Sequence, residues 1–225
     1  MVTSGEHDGY SGVRSTQYHL DIAADEVALR VLHGAGFRVV SEESGVTGEG
    51  EYTVVLDPID GSTNCDHGIP FYATSLAVLR NDELVASLVV NQATGAMYEA
   101  EKGSGARRNG EKIVPSGQVD PATSIVSFSG LPSRHLGWAQ YRSLGAASLE
   151  ICLVADGSLD MFSVAAHSGL HPWDYLGGLL VIEEAGAVSG EYDGEALVTS
   201  ERVRRRPCFA ATPQLLTFLQ SAAPF

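Results

Sequence analysis

The chain has 225 residues, 44% hydrophobic and 19% charged, a balance that excludes a disordered chain and allows one large domain. Fourteen basic against 28 acidic residues give a formal charge of −14, which disfavours nucleic-acid polymers and anionic membranes as partners. A small phosphate ester stays open, because bound cations reverse the sign of a site locally. No apolar run approaches the ~18 residues of a membrane span. Residues 1–10 lack the apolar core of a signal peptide. Cys65, Cys152 and Cys208 have no metal-type spacing, and their odd number argues against a disulfide framework, so a cytoplasmic location is expected.

In chain order, residues 1–13 read as a polar arm and 14–225 as a single domain, with subdomains at about 14–120 and 121–225. Leu20, Ala23, Ala24, Val27, Ala28 and Val31 recur at helical spacing, predicting an amphipathic helix over 20–32 that ends at Gly34 and Gly36. A short strand over 37–40 runs into Glu42-Glu43, and the Gly-rich stretch 45–51 reads as a loop. Residues 52–56 are almost all apolar, as in a strand buried on both faces. Pro58 cannot donate to a ladder, so the chain is expected to leave the sheet after Asp57. Strands follow at 72–80, 84–91, 96–101 and 111–114, with turns at Asn81-Asp82 and Asn109-Gly110, the pattern of an antiparallel meander. After a connector over 115–122, a strand is predicted at 124–129, a helix at 146–156 and a strand at 159–164. A helix over 173–185 closed by Gly186, a strand at 208–211 and a helix at 213–221 complete the chain. The class is mixed α and β, without internal repeats.

Three stretches carry chemistry. Asp57-Pro58-Ile59-Asp60-Gly61-Ser62-Thr63-Asn64 places two carboxylates three residues apart, so that a turn brings them together. Converging carboxylates share a proton or bind a cation, and an oxygen-only donor set suits magnesium. The amides of Gly61, Ser62 and Thr63 offer an anion cradle at the start of a helical turn. An Asp-Pro turn with an Asx cap fits the same string equally well. Glu42-Glu43 closes an earlier strand, and if that strand neighbours 52–56, their carboxyl ends meet. A solvated acidic loop is the other reading, and it suits Glu43 better than Glu42. Trp173-Asp174 opens a helix that is apolar almost all round, hence buried, with Asp174 in its first turn.

These motifs, in this order and followed by Glu184-Ala185-Gly186, resemble the signatures of the inositol monophosphatase family of lithium-sensitive, magnesium-dependent phosphatases. The similarity spans roughly Arg14 to Ser221 and includes His67-Gly68-Ile69-Pro70-Phe71 and Arg142-Ser143-Leu144-Gly145-Ala146-Ala147. The resemblance implies an α-β-α-β-α layered sandwich, shared with fructose-1,6-bisphosphatases, and a homodimer. It implies two or three Mg²⁺ ions held by Glu42, Asp57, Asp60, Asp174 and the carbonyl of Ile59. Ser62 falls where the family usually has Thr, and with Glu42 it would orient and deprotonate the attacking water. The leaving alkoxide would be protonated near Asp60 or Asp174. Gly61, Ser62 and Thr63 would hold phosphate, and Gly145, Ala146 and His167 would face the substrate.

Several departures qualify the resemblance. The family's first helix has only the short polar arm in its place, and Arg14 falls near a family Lys on a mobile loop. Family enzymes specific for inositol carry a Glu seven residues before the Trp-Asp aspartate. Here that position is His167, and no carboxylate occurs from Ser163 to His171, so relaxed specificity is expected. His171 reads as a structural neighbour of Trp173. The substrate stays open among inositol 1-phosphate, histidinol phosphate, a sugar bisphosphate and a 3′-phosphonucleotide. A metal- or phosphate-sensing regulatory member is the non-enzymatic alternative.

Overall fold

The computed structural model describes residues 19–223, and the expected arm 1–13 and Arg14 lie outside them. The first layer is α1 (His19–Gly34), packed on β1 (Arg38–Ser41) and β3 (Tyr52–Asp60). With β2 (Gly45–Thr47), these strands begin an eight-stranded sheet. It continues through β4 (Ala73–Arg80), β5 (Glu83–Asn91), β6 (Met97–Glu101), β7 (Gly105–Arg108) and β8 (Glu111–Lys112). The order is β2-β1-β3-β4-β5-β6-β7-β8, parallel between β1 and β3 and antiparallel elsewhere. The one-turn helix α2 (Ser62–Asp66) leaves the end of β3.

The second sheet has five strands in the order β10-β9-β11-β13-β12. They are β9 (Ile125–Ser129), β10 (Gln140–Arg142), β11 (Met161–Val164), β12 (Val188–Glu191) and β13 (Pro207–Ala210). Helices α3 (Ala147–Ala155) and α4 (Pro172–Ala185) lie between the sheets, and α5 (Pro213–Ala222) covers the far face of the second. The layers are therefore α-β-α-β-α, as expected.

The main core lies around α4. Leu176, Leu179, Leu180, Val181 and Ile182 are buried on every side of this helix, which explains why its sequence shows no polar face. Two glycines allow the close approach. A Cβ on Gly177 would stand 2.5 Å from Ser75 Oγ of the first sheet, and one on Gly178 would stand 2.7 Å from Ile151 Cγ2 of α3. Both turns expected in the meander are present, with Asn81, Asp82 and Asn109 at positive φ, the backbone that two-residue hairpins require.

Four expectations are corrected. First, β3 does not end at Asp57 but runs on to Asp60. The register slips between Asp57, opposite Ser75, and Asp60, opposite Ala73, so Pro58 sits in an irregularity where its missing N–H breaks no ladder. Its carbonyl instead accepts from Thr74 Oγ1 at 2.8 Å. Second, the predicted loop 45–51 contains β2, a short strand on the edge of β1. Third, the meander has an additional strand, β7, and the second sheet has β10 and β12, all too short to show a period. Fourth, α1 buries a different face from the one its valines suggest. Val27 and Val31 are exposed, whereas Asp21 and Asp25 are buried, and Ala28, Leu29 and Leu32 pack against Val39, Val54 and Leu56.

Candidate active site

The parallel pairing of β1 with β3 sets Ser41 opposite Leu56, so Glu42, just past the end of β1, stands beside Asp57 of β3. The Glu42 N–H extends the ladder by donating to the Leu56 carbonyl at 3.1 Å. Behind this corner, Ser41 Oγ donates to the buried Asp25 of α1 and accepts from the Glu43 N–H at 3.2 Å. Asp57 is buried, and its Oδ1 accepts from the Ile59 N–H at 3.0 Å, closing an Asx turn through Pro58. Its neighbour on β4, Ser75, donates to the Trp173 carbonyl at 3.2 Å, which ties the start of α4 to this point of the sheet. Asp174 is the third residue of α4 and accepts from the His171 N–H at 2.7 Å.

As a result Glu42, Asp57 and Asp174 converge, with one carboxylate oxygen from each lying within 4.8 Å of the others. Three carboxylates so placed repel one another. Burial first, then Glu42, Asp60, Asp174 and Asp21, push the Asp57 carboxyl well above the usual range. Burial, Asp60 and Glu42 do the same to Asp174. A site of this kind holds protons or a divalent cation, and its all-oxygen donor set matches a hard ion. The residues present therefore fit a hard divalent cation.

Asp60 stands beside this group without joining it. Its Oδ2 accepts from the Ser148 N–H at 2.7 Å and the Ser148 hydroxyl at 2.5 Å, and its Oδ1 accepts from the Ala147 N–H at 3.2 Å. These donors open α3, where the helix dipole favours an anion. They oppose the burial that raises Asp60 to about 7. Gly61 follows at φ 85, and a Cβ there would lie 2.8 Å from the Gly145 carbonyl and 3.0 Å from Ala146 Cβ. Asn64 secures the same contact, donating from Nδ2 to the carbonyls of Phe71 and Leu144 at 2.7 Å each. Ser62 and Thr63 open α2, whose first N–H groups have no partner within the helix. The structure thus brings Gly61, Ser62, Gly145 and Ala146 to one corner beside the acidic group.

A cavity of about 240 Å³ opens here, lined by Asp60, Ser129, Gly145, Glu150, Leu170 and Asp174 among others. Two larger hollows, of about 440 and 360 Å³, are lined by other residues and lie away from the acidic group. His167 is exposed on the loop after β11, and from that segment it is Leu170 that reaches the cavity wall. His171 precedes α4 and stacks on Trp173 at 4.6 Å; burial, then Arg204 and Arg202, lower its pKa.

Sequence reasoning missed four contributors. Glu150 is buried and accepts from Ser127 Oγ and from the Leu144 and Gly145 N–H groups at 2.9 and 3.3 Å, fixing the loop that meets Gly61. Ser148 holds Asp60. Asp21 and Asp25 back the carboxylate corner; their spacing of four places them on the same stripe as Ala28, Leu29 and Leu32, which is the signal that marks them.

The sequence pattern of the inositol monophosphatase family matches residues 5–221. The chain belongs to that family. An Archaeoglobus fulgidus protein named fructose-1,6-bisphosphatase/inositol-1-monophosphatase is 39% identical over 181 residues, covering 79% of this chain and 71% of its own. An inositol-1-monophosphatase of Mesorhizobium japonicum is 34% identical over 195 residues, covering 77% and 71%. Among solved structures, a Pyrococcus horikoshii protein described as similar to inositol-1 monophosphatase superposes with a TM-score of 0.84. It is 27% identical and covers 95% of this chain and 87% of its own. As a member of the inositol monophosphatase family, the chain is a phosphoric monoester hydrolase of a metal-dependent group. Among the described residues no helix is long and apolar enough to cross a membrane.

Proposed function

We propose that this protein is a Mg²⁺-dependent phosphomonoesterase that hydrolyses a small, inositol monophosphate-like metabolite in the cytoplasm, as a homodimer. The observation that carries the reading is the convergence of Glu42, Asp57 and Asp174 beside a cavity of about 240 Å³. That volume is below the usual range for drug-sized ligands and suits a small ester.

Glu42, Asp57, Asp174 and, on ionisation, Asp60 would hold two or three Mg²⁺ ions, with the Ile59 carbonyl beside them. When bound, such ions neutralise the phosphoryl oxygens and the carboxylates together. The N–H groups opening α2 and the Gly61 backbone bind and orient the phosphate from the other side. Glu42 and the Ser62 hydroxyl orient the water, and the Glu42 carboxylate takes its proton as it attacks phosphorus. The P–O ester bond breaks, the leaving alkoxide takes a proton from a second water on the Asp60–Asp174 side, and inorganic phosphate remains. The cavity wall offers Ser129, Ser143 and main-chain groups, with no exposed carboxylate from the segment 163–171, to meet a polyol. This supports relaxed specificity. The intact acidic set speaks against a purely regulatory role, since loss of one ligand suffices to abolish catalysis.

The test is phosphate release from inositol 1-phosphate, fructose 1,6-bisphosphate, histidinol phosphate, glycerol 2-phosphate and a 3′-phosphonucleotide, with and without MgCl₂. Mg²⁺-dependent turnover of the inositol ester is expected, with a preference of less than ~10³ over glycerol 2-phosphate. No turnover of any ester at millimolar Mg²⁺ would refute the assignment.

A further inference from the structure

We infer that Arg202, on the segment between β12 and β13, is a positioning residue that holds Glu42 and Asp174 together for cation binding. The inference rests on the metal-dependent reading above. Beyond the end of β1 the chain has one remaining ladder bond, from the Glu42 N–H. The carbonyls of this corner are taken by Arg202, whose Nη1 donates to Ser41 O at 3.0 Å and Glu42 O at 3.1 Å. Its Nη2 donates to Glu42 O at 3.1 Å. The guanidinium carbon also lies 4.7 Å from the centre of the Trp173 ring. Trp173 is buried, immediately precedes Asp174, and is fastened to the sheet through Ser75. One side chain therefore spans the two segments that carry Glu42 and Asp174, although it stands 160 residues from Glu42 in the chain.

Its chemistry suits the task. A guanidinium is a planar fork that bonds two carbonyls and stacks on an indole at the same time, whereas an ammonium is a point charge that does neither well. Its three hydrogen bonds go to main-chain carbonyls and not to carboxylate oxygens. Arg202 thus fixes the backbone of the ligand segment without occupying the place of the ion. Partners that orient metal ligands in this way typically change metal affinity about 10- to 100-fold when removed.

The experiment measures thermal midpoints of the substrate-free protein over a MgCl₂ titration at constant ionic strength, for wild type, Arg202→Ala and Arg202→Lys, alongside KM and kcat at saturating Mg²⁺. Half-saturating Mg²⁺ should rise roughly tenfold or more in Arg202→Ala. Arg202→Lys, which keeps the charge and the stem, should recover the metal-free midpoint but only part of the Mg²⁺ affinity. KM for the phosphate ester should stay within about twofold in both. A purely structural arginine would lower the metal-free midpoint and leave half-saturating Mg²⁺ unchanged in both variants, and that result overturns the inference. Should Arg202→Ala fail to fold, the lysine variant alone decides by the same criterion. A wild type with no Mg²⁺-dependent shift overturns the metal reading itself, which separates that failure from a failure of Arg202.

Discussion

Replacing Ser148 by Ala tests how Asp60 is held. Ser148 is fully buried, opens α3 and donates both its N–H and its hydroxyl to Asp60 Oδ2, at 2.7 and 2.5 Å. Alanine adds no volume, keeps the helix and removes only the hydroxyl bond. A hydrogen bond to a charged group contributes ~1.5–3 kcal/mol. Its loss raises the Asp60 pKa by about 1–2 units at 1.36 kcal/mol per unit, from the native value of about 7 to ~8–9. A carboxylate must be ionised to bind a cation. At pH 7 the ionised fraction then falls from about one half to between ~10% and ~1%, so Mg²⁺ binds roughly 5- to 50-fold more weakly. At pH 9.5 the difference shrinks below ~2-fold, because both forms are ionised. Thermal melts of wild type and Ser148→Ala over a MgCl₂ titration, from pH 6 to 9.5, read this directly. Equal half-saturation at pH 7 would refute the reasoning. A deficit of the same size at every pH would show that Ser148 shapes the site and does not tune the proton affinity of Asp60.

Asp174→Asn should abolish the Mg²⁺-dependent rise in melting temperature and cut turnover by roughly 10²-fold or more. It should also raise the metal-free midpoint at pH 8, because one of three repelling charges is gone while an amide oxygen still accepts from His171. Metal-free stability should fall as pH rises from about 4 through about 7: Asp57, Asp60 and Asp174 have raised folded-state pKa values, so the folded chain binds more protons than the unfolded one. Saturating Mg²⁺ should flatten that decline in a calorimetric pH series, and an unchanged slope would count against cation binding at these groups. Ser62→Ala should lower kcat on the order of 10²-fold with a much smaller change in KM, as steady-state kinetics would show. Gly177→Ala forces a Cβ to 2.5 Å from Ser75 Oγ, and chemical denaturation should show a loss of ~1–3 kcal/mol.

Local chemistry in the sequence marked most elements and the three acids, Glu42, Asp57 and Asp174, that the fold brings together. The all-round apolar pattern of 173–185 identified a buried helix because that pattern has no stable place at a surface. Asn81-Asp82 and Asn109-Gly110 marked two hairpins because few other residues accept positive φ. The string from Asp57 to Asn64 announced its acids, its close-approach glycine and its hydroxyls by residue type alone. Where one local rule was followed too far, it misled. Pro58 ends a regular ladder, but a register slip removes the need for its N–H, and that slip depends on the partner strand β4. Val27 and Val31 pointed to the wrong face of α1, because a buried acid such as Asp25 is accommodated only once the Ser41 hydroxyl is beside it.

Which carboxylates converge is a matter of tertiary structure. Glu42 meets Asp57 through the parallel pairing of β1 with β3, and Asp174 reaches them because Gly177 lets α4 approach β4 and Ser75 fastens its first turn. Asp60, equally acidic and equally close in sequence, is drawn aside by the start of α3, nearly ninety residues away. Glu150, Ser148 and Arg202 act on the site from distances of that order along the chain, and no periodicity reports them. Composition and short motifs record what each residue can do chemically. The choice among equivalent acids rests on contacts of a few ångström between segments brought together by burial of α4, and only the folded chain makes them.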